Sequence, residues 1–428
     1  MNIEKAASIH FVGIGGIGTS SIAQILQKKG KTISGSDNVK SDLTENLKKK
    51  GIKISYTHAI KNIPKDTDLI IYSPAIPSNN PELQTKIPSL TYPQALGELT
   101  KSYYTIAIAG THGKSTTTAM LSNILTKSKL DPTVVIGTKI PEFNNENFRV
   151  GESQYLIIEA CEYKNSFSYL HPNILVITNV EADHLDHYKT EKAYIQAFKN
   201  LAQKIPKNGA IIINPKDKNT LKAVKGAKAQ IIPIERKKDL TSLKIQLKPK
   251  IPGDFNLDNA AFAATAAILL NVDPETIQKS ISTYRGSWRR FEIKKVKGIG
   301  ATIIDDYGHH PTEIKATLKA IREKYGKKKV LCIYQPHQYS RTRFFLKDFG
   351  KSFKDADQVI IPNIYEVRDS KADIKSISPE DLVKEIGPKA SYGQGLKNTA
   401  AFIKENHKNY DIIVTMGAGD IENIYKML

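Results

Sequence analysis

One stretch near residue 110 constrains the fold of this chain more than any other. Residues 105–109 are apolar and typical of a buried strand, residues 110–115 read GTHGKS, and residues 116–125 are compatible with a helix. A glycine-containing turn that leads into a helix presents backbone N–H groups at the positive end of the helix dipole, where a polyphosphate can bind. The stretch therefore predicts a parallel α/β sheet with a nucleotide site at its edge.

Two side chains of this turn fit a nucleotide accompanied by Mg²⁺. Lys114 would reach the outer phosphates as a mobile cation, and the Ser115 hydroxyl would ligate the magnesium ion. The generic phosphate-loop motif asks for a glycine where this chain has Ile108, so only its second half matches. A chance Gly-Lys-Ser at a helix start is the alternative. The predicted ATP contacts in this turn are Gly110, Thr111, His112, Gly113, Lys114, Ser115 and Thr116.

Length and charge narrow the class of protein. The chain has 428 residues, enough for two or three domains, and a formal net charge of +20. The lysines form short patches such as 48–50, without a long basic run interleaved with aromatic residues, which favours small polyanionic substrates over nucleic acid. Cys161 and Cys332 cannot make a disulfide framework, and the longest apolar run, 260–270, is too short for a bilayer. No signal pattern is found, so we expect a cytoplasmic protein without nucleic-acid or membrane partners.

A second glycine-rich turn stands near the start of the chain. Residues 9–12 are typical of a buried parallel strand, GIGGIG occupies residues 13–18, and a strand at 32–34 leads to Asp37. This opening is typical of a Rossmann fold, in which an acidic residue at this distance binds a ribose. The same turn holds any diphosphate, so an NAD-dependent oxidoreductase and a UDP-sugar-binding protein both fit.

Acidic and imidazole side chains follow two further predicted strands. The strand at 155–158 ends at Glu159, with Glu162 close by, and the strand at 174–177 leads to His184. Ligands of open parallel sheets bind beyond the carboxyl ends of the strands, so we expect Glu159 and His184 to meet the phosphate turn. The alternative is that Glu159 caps a helix and that His184 is hydrogen-bonded at the start of a loop. The predicted Mg²⁺ ligands are Ser115, Glu159 and His184, although imidazole is an unusual magnesium ligand.

The segment after these strands is less strongly patterned. Residues 216–250 are rich in lysine and predict two or three peripheral strands with exposed turns. Asn256 and Asn259 then stand three residues apart at the start of an alanine-rich helix, so both amides can face the same way, as bidentate recognition of adenine requires. Helix capping by Asn256 is the alternative.

The sequence pattern restarts near Gly286 and alternates between strands and helices to the end of the chain. Predicted strands start at Thr302 and lie at 330–334 and 411–415, and each is followed by a cluster of polar residues. This arrangement is typical of another doubly wound α/β domain whose functional edge faces a cleft.

Together these sequence motifs resemble those of the Mur ligase family over essentially the whole chain. The resemblance is carried by residues 9–18 with 34–37, 110–117, 178–179 with 181–184, 305–311 with 341–343, and 417–421. It implies an α/β protein of three domains. These are a Rossmann-like domain for the UDP moiety at 1–102, a central ATP-binding domain with a P-loop-type parallel sheet at 103–285, and a Rossmann-like domain for the incoming amino acid at 286–428.

The resemblance is closest to the branch that joins L-alanine to UDP-N-acetylmuramate. ATP would phosphorylate the muramoyl carboxylate, and the alanine amine would attack the acyl phosphate to leave an amide, ADP and phosphate. This chemistry needs charge neutralisation at the moving phosphoryl group and in-line placement of two reactants. We therefore expect ATP and Mg²⁺ as cofactors, UDP-N-acetylmuramate and L-alanine as substrates, and a monomer or weak homodimer.

The resemblance also assigns roles to individual residues. UDP-N-acetylmuramate would be bound by Gly13, Gly15, Gly16, Gly18, Ser36, Asp37 and Ser73. Adenine and phosphate contacts would come from Asn256, Asn259 and Arg290, and the amino acid and muramoyl group would be positioned by Tyr307, His309 and Arg341. The catalytic residues would be Lys114, His184, His309 and Arg341. Gln338 stands where an arginine is usual in the family, which removes a positive charge from the predicted carboxylate-binding edge.

Three other functions compete with this prediction. The nearest is a sister ligase that attaches a recycled tripeptide to UDP-N-acetylmuramate; it tends toward Phe-Ala where this chain has Tyr307 and Gly308, which favours the alanine branch. An NAD-dependent oxidoreductase leaves the phosphate turn unexplained. A basic, ATP-driven nucleic-acid protein is motivated only by the net charge.

Overall fold

The computed structural model describes residues 3–234 and 245–428, which form an α/β structure with three sheets. The chain divides into two compact units. One comprises Met1–Leu247 and Asn259–Ser282, and the other comprises Lys248–Asp258 and Thr283–Leu428. The predicted fold class, an α/β protein, is confirmed. The three sheets follow one another along the chain, as the expected three-domain fold requires. The predicted domain boundaries stay predictions.

The N-terminal sheet is parallel throughout and has the strand order β3-β2-β1-β4-β5. All five residues of the central strand β1 are buried, as the apolar pattern predicts. The strand order reverses direction between β1 and β4, and such a switch point opens a crevice at the carboxyl ends of the strands. The elements are β1 (Ser8–Val12), α1 (Ile17–Lys28), β2 (Thr32–Ser36), α2 (Asp42–Lys49), β3 (Lys53–Ser55), β4 (Leu69–Tyr72), β5 (Ser89–Thr91) and α3 (Tyr92–Thr100).

The central sheet belongs to the same unit and has the order β12-β11-β10-β6-β9-β7-β8, with only β8 antiparallel to its neighbour. One buried apolar core runs beneath both this sheet and the N-terminal sheet. The elements are β6 (Tyr104–Ala109), α4 (Lys114–Lys127), β7 (Thr133–Ile140), β8 (Glu146–Arg149), β9 (Tyr155–Glu159), β10 (Ile174–Ile177), α5 (Leu185–Tyr188), α6 (Glu191–Ala202), β11 (Ala210–Ile213), α7 (Lys218–Val224) and β12 (Gln230–Pro233). Helices α8 (Asp254–Leu269) and α9 (Pro274–Thr283) follow.

The C-terminal sheet has the order β13-β14-β18-β15-β16-β17, and its edge strand β13 is antiparallel. Its three central strands, β14, β18 and β15, place their carboxyl ends side by side. The elements are β13 (Glu292–Lys294), β14 (Thr302–Asp306), α10 (Pro311–Tyr325), β15 (Val330–Tyr334), α11 (Tyr339–Phe344), α12 (Leu346–Gly350), β16 (Gln358–Ile361), α13 (Lys371–Ile374), α14 (Pro379–Ile386), β17 (Ala390–Tyr392), α15 (Leu396–Asn406) and β18 (Ile412–Met416).

Most predicted strands are confirmed, but one segment is not. The prediction of two or three strands within 216–250 is wrong for the described part, which holds helix α7 and the single strand β12; residues 235–244 lie outside the described residues. The helix is capped by the Asp217 carboxylate, which accepts a hydrogen bond from Asn219 N. Across the described ranges, the model contains no helix that combines the length and apolar character needed to cross a bilayer.

Candidate functional site

The turn after β6 has a backbone that requires glycine at two positions. Gly110 has a φ of 139° and Gly113 a φ of 80°, both in the region that side chains rarely adopt. A methyl group on Gly110 would clash with the Thr178 hydroxyl, and one on Gly113 would clash with the Asn259 amide oxygen. The cradle is therefore narrow, because the Thr178 and Asn259 side chains approach its two glycines closely, and it lies at a helix N-terminus, where an anion can bind.

The neighbouring strand β10 holds this turn in place. The Thr178 hydroxyl donates to the carbonyl of His112 at 2.6 Å, and the Asn179 carboxamide oxygen accepts from His112 N at 3.0 Å. The Thr111 hydroxyl donates to the Glu181 carbonyl at 2.8 Å, and the His112 ring lies 3.0 Å from the Glu181 carboxylate. The segment that follows β10 thus lies against the phosphate turn.

Lys114, the first residue of α4, folds back over its own turn. Its ammonium group donates to the carbonyls of Gly110 (2.5 Å) and Thr111 (3.1 Å) and lies 3.0 Å from the Glu162 carboxylate. Burial is the largest influence and acts to lower the pKa of Lys114, but Glu162 together with smaller contributions from Cys161 and Glu159 outweighs it, and the pKa is raised. Burial acts to raise the pKa of Glu162, but Lys114 and then His184 keep it below the ordinary value. Both groups are therefore charged at neutral pH.

Ser115 and Glu159 form a second pair beside the first. The Ser115 hydroxyl donates to the Glu159 carboxylate at 2.9 Å, and the other carboxylate oxygen accepts from Gly137 N at 2.7 Å. Glu159 is the last residue of β9 and does not cap a helix, so the structural alternative for this residue is wrong. A hydroxyl and a carboxylate at a polyphosphate cradle are oxygen donors of the kind that Mg²⁺ prefers.

His184 lies in the same region, but its partner differs from the predicted one. Its Nε2 atom is 3.4 Å from the Glu162 carboxylate, and its ring packs on Tyr163 with centroids 5.0 Å apart. His184 precedes α5 with a φ of 51° and makes no side-chain capping bond to that helix. The structure therefore links His184 to Lys114 through Glu162.

The first glycine turn, residues 13–18, is held by the end of β2. The Ser36 carbonyl accepts from Gly13 N at 2.9 Å and Ile14 N at 3.1 Å, and the Asp37 carboxylate accepts from Gly15 N at 2.8 Å. The Ser36 hydroxyl is fully buried and bonded to other side chains, so it does not face the turn. Ser36 thus contributes to this turn through its carbonyl group.

The other predicted members of this turn lie close to it. A methyl group on Gly13 would approach the Ser73 β-carbon to 3.1 Å, so Ser73 borders the turn. A methyl group on Gly16 would meet the Thr19 hydroxyl at 2.8 Å, and one on Gly18 would meet the Tyr92 ring at 2.5 Å.

The two predicted adenine contacts are both buried. The Asn256 amide, 2% exposed, donates to the Pro252 carbonyl at 2.7 Å. The Asn259 amide oxygen, on a side chain 5% exposed, accepts from the Thr117 hydroxyl at 3.2 Å, against the phosphate turn. Their joint recognition of adenine stays a prediction.

In the second unit, the predicted residues cluster around a histidine that sequence reasoning did not select. The His309 ring lies 5.9 Å from the His337 ring, and Arg341 Nη1 is 3.1 Å from His337 Nδ1. His309 Nδ1 also contacts the Tyr307 carbonyl at 3.2 Å, and the Arg290 guanidinium lies 5.0 Å from the Tyr307 ring centre. The structure thus brings Tyr307, His309 and Arg341 together, with His337 between the last two.

Three family models match consecutive parts of the chain. A model described as Mur ligase family, catalytic domain, matches residues 8–104, the Mur ligase middle domain matches 108–267, and the Mur ligase, glutamate ligase domain matches 289–419. The UDP-N-acetylmuramate–L-alanine ligase of Acetivibrio thermocellus is 39% identical over 99% of this chain and 96% of its own. The chain belongs to the Mur ligase family. Mur ligases are ATP-dependent ligases.

Two solved structures resemble this Mur ligase along its length. The UDP-N-acetylmuramate-alanine ligase of Thermotoga maritima has a TM-score of 0.78 at 26% identity and covers 98% of this chain and 97% of its own. A murein peptide ligase of Psychrobacter arcticus has a TM-score of 0.72 at 24% identity with the same coverage, and this likeness concerns the fold alone.

Sequence reasoning missed two residues of the Mur ligase site and judged a third from the family pattern alone. Glu162 and His337 were visible as a second acid after β9 and a histidine after β15, but only the contacts reveal their partners. Gln338 is 2% exposed, has a φ of 74° and donates to the Val367 carbonyl at 3.3 Å. Its side chain is therefore held by the neighbouring backbone.

Proposed function

We propose that this Mur ligase joins L-alanine to the muramoyl carboxylate of UDP-N-acetylmuramate at the expense of ATP, giving UDP-N-acetylmuramoyl-L-alanine, ADP and phosphate. The observation that carries the proposal is full-length similarity, at 39% identity, to a UDP-N-acetylmuramate–L-alanine ligase. The product is a peptidoglycan precursor, and we propose that the protein acts in the cytoplasm as a monomer or weak homodimer.

ATP and Mg²⁺ fit the residues of the central sheet. The glycine cradle excludes side chains at Gly110 and Gly113, and Lys114 supplies a buried positive charge beside it. Ser115 and Glu159 would hold one magnesium ion, and Glu159 with His184 would contribute to a second. Bound there, magnesium supplies positive charge next to the phosphates. Asn256, Asn259 and Arg290 are the proposed adenine and phosphate contacts.

The reaction has two displacement steps. In the first, a carboxylate oxygen of the muramoyl group forms a bond to the γ-phosphorus of ATP, the bond to the β–γ bridging oxygen breaks, and ADP leaves. Negative charge on the moving group is distributed over its oxygens, and Lys114 stabilises that charge through its ammonium group. In the second, the alanine amine attacks the acyl carbon, and phosphate leaves with the bonding electrons.

The remaining proposed roles concern placement of the two other substrates. The turn containing Gly13, Gly15, Gly16 and Gly18, with Ser36, Asp37 and Ser73, would bind the UDP moiety. Arg341 would hold the amino-acid carboxylate, Tyr307 would pack against the bound substrates, and His309 would accept a proton from the alanine ammonium group before attack.

One assay separates this function from the tripeptide-recycling alternative. Purified protein is incubated with UDP-N-acetylmuramate, ATP and Mg²⁺, with each amino acid or with the tripeptide, and phosphate release and product mass are measured. We expect L-alanine to be the best substrate, with glycine and L-serine slower, because a pocket discriminates small side chains only modestly. Faster turnover with the tripeptide contradicts the proposal in favour of the recycling ligase. No phosphate release with any acceptor contradicts both.

A further inference from the structure

A fully buried carboxylate lies at the carboxyl edge of the N-terminal sheet. One Glu82 oxygen accepts from the Ser36 hydroxyl at 2.5 Å and lies 3.2 Å from His58 Nδ1. The other accepts from the Asn62 amide at 2.7 Å and Ala59 N at 3.2 Å. We refer to these five residues as the Glu82 cluster. Its hydrogen bonds use both oxygens of the acid.

This carboxylate is ionised in the folded protein. Burial acts to raise the pKa of Glu82, but contacts from His10, Ser36 and Asn62 outweigh it and hold the pKa at about 2. A buried charge with good partners is seldom a better source of stability than a well-packed apolar side chain. Its value lies in fixing one arrangement of its partners, which come from β1, from the end of β2 and from the segment after β3.

The Glu82 cluster joins the carboxyl ends of three strands of the N-terminal sheet, two of them neighbours (β3 and β2) and the third, β4, on the far side of β1. Ser36 is the last residue of β2, His58 follows β3, and Glu82 follows β4. The Ser36 carbonyl in turn accepts from Gly13 N and Ile14 N, so the backbone of the first glycine turn rests on a residue whose side chain is fixed by Glu82. A shift of Ser36 would move the donors of that turn.

We propose that Glu82 is a positioning residue for the UDP-binding turn, acting through Ser36 on the backbone of the turn, which the Gly13 and Ile14 N–H groups join to the Ser36 carbonyl. The inference rests on the proposed function of that turn. The contribution of Glu82 is preorganisation, because a turn already fixed in its binding geometry loses little entropy when the diphosphate binds.

The test is Glu82→Gln in the full-length protein, with Asp68→Asn as the matched control. Asp68 accepts hydrogen bonds from Ala7 N (2.8 Å) and Ser8 N (2.9 Å) at the opposite end of the same sheet, so its loss perturbs the sheet without touching the glycine turn. Calorimetry measures binding of UDP and of ATP, and steady-state kinetics separates KM from kcat.

We expect Glu82→Gln to weaken UDP binding about tenfold and to raise the KM for UDP-N-acetylmuramate similarly, with ATP binding and kcat changed less than about twofold. Asp68→Asn should lower Tm with UDP binding unchanged. An unchanged UDP affinity in Glu82→Gln overturns the proposal, even if its Tm falls. If the wild-type protein itself does not bind UDP, the proposed function of the turn is wrong instead.

Ser36→Ala provides a second test if Glu82→Gln does not fold. It removes the hydroxyl that joins Glu82 to the turn but leaves the bonds from Asn62 and Ala59 to the acid. We expect UDP binding to weaken about threefold, with ATP binding unchanged. UDP affinity equal to that of the wild type in Ser36→Ala shows that the link does not position the turn.

Discussion

The two glycine turns of this Mur ligase follow the same plan of strand, turn and helix, but their charges differ. In the first, Gly15 N is bonded to the Asp37 carboxylate, so a negative group lies at the helix N-terminus. In the second, Lys114 lies over its turn and is neutralised by Glu162. An acid beside a turn suits ribose hydroxyls, whereas a lysine suits a terminal phosphate that must be transferred. The glycine spacing makes an anion site, and the nearest charged side chain selects the ligand.

The largest expected effect tests whether the two turns act independently. Lys114→Ala removes a charge that stabilises the moving phosphoryl group, so turnover should fall by at least about a hundredfold, or about 3 kcal/mol. Calorimetry should show UDP-N-acetylmuramate binding nearly unchanged, because the first turn contains none of the Lys114 contacts. Lys127→Ala, at the far end of the same helix, is the control. A Lys114→Ala rate above about a tenth of wild type excludes the phosphoryl role.

A smaller effect distinguishes metal binding from structural support at the second turn. His184→Ala should raise the Mg²⁺ concentration for half-maximal rate about tenfold, and raise the ATP requirement less, if the imidazole ligates an ion. His187→Ala, three residues along the same segment, should leave both values unchanged. Magnesium titrations of wild type, His184→Ala and His187→Ala distinguish metal binding from structural support. A lower Tm with wild-type magnesium dependence assigns His184 a structural role.

The first turn should respond to the loss of its acid in a different way. Asp37→Asn keeps an oxygen for Gly15 N but removes the charge, so UDP binding should weaken about threefold while ATP binding and magnesium dependence stay unchanged. Calorimetry with UDP and with ATP measures the two binding affinities. Tighter UDP binding in Asp37→Asn would mean that the carboxylate repels the diphosphate more than it binds the ribose.

A further expected effect is on acid stability. The pKa of Glu82 is held at about 2, below the ordinary 4.5, because its hydrogen-bond donors outweigh burial. Its ionised form therefore contributes stability above pH 4.5, and that contribution is lost as the pH falls through 4.5 toward 2. Denaturant titrations of wild type and Glu82→Gln should converge over this range. A constant stability difference from pH 7 to pH 3 contradicts the assignment.

Local sequence patterns predicted the sheets well, because a buried parallel strand or a glycine turn is determined by a short run of consecutive residues. The strands at 174–177 and 330–334 have the predicted bounds. Helix α7 was missed because its lysines were interpreted as an exposed strand region, although Asp217 offered a capping signal.

The partners of the site residues were harder to predict, since they join loops distant in sequence. Glu82 and Ser36 are 46 residues apart, and Lys114 and Glu162 are 48 apart. No periodicity encodes such contacts. For the same reason Ser36 was predicted as a UDP contact, and the pairing of its buried hydroxyl with Glu82 was not predicted. The sequence identified which residue types surround each turn, and the folded chain determined which of them pair.

The ion pair between Lys114 and Glu162 has a consequence for the end of the catalytic cycle. Lys114 donates to two backbone carbonyls and to Glu162, so a nucleotide phosphate that binds the lysine would compete with Glu162, an internal competitor for the proposed phosphate site. That competitor lowers the affinity for ATP and for ADP alike. Once the γ-phosphoryl group has been transferred, ADP offers fewer negative oxygens to hold the ammonium group, and Glu162 can reclaim it. If ATP binds at this turn as proposed, the acid that pairs with Lys114 would thus also favour the release of ADP.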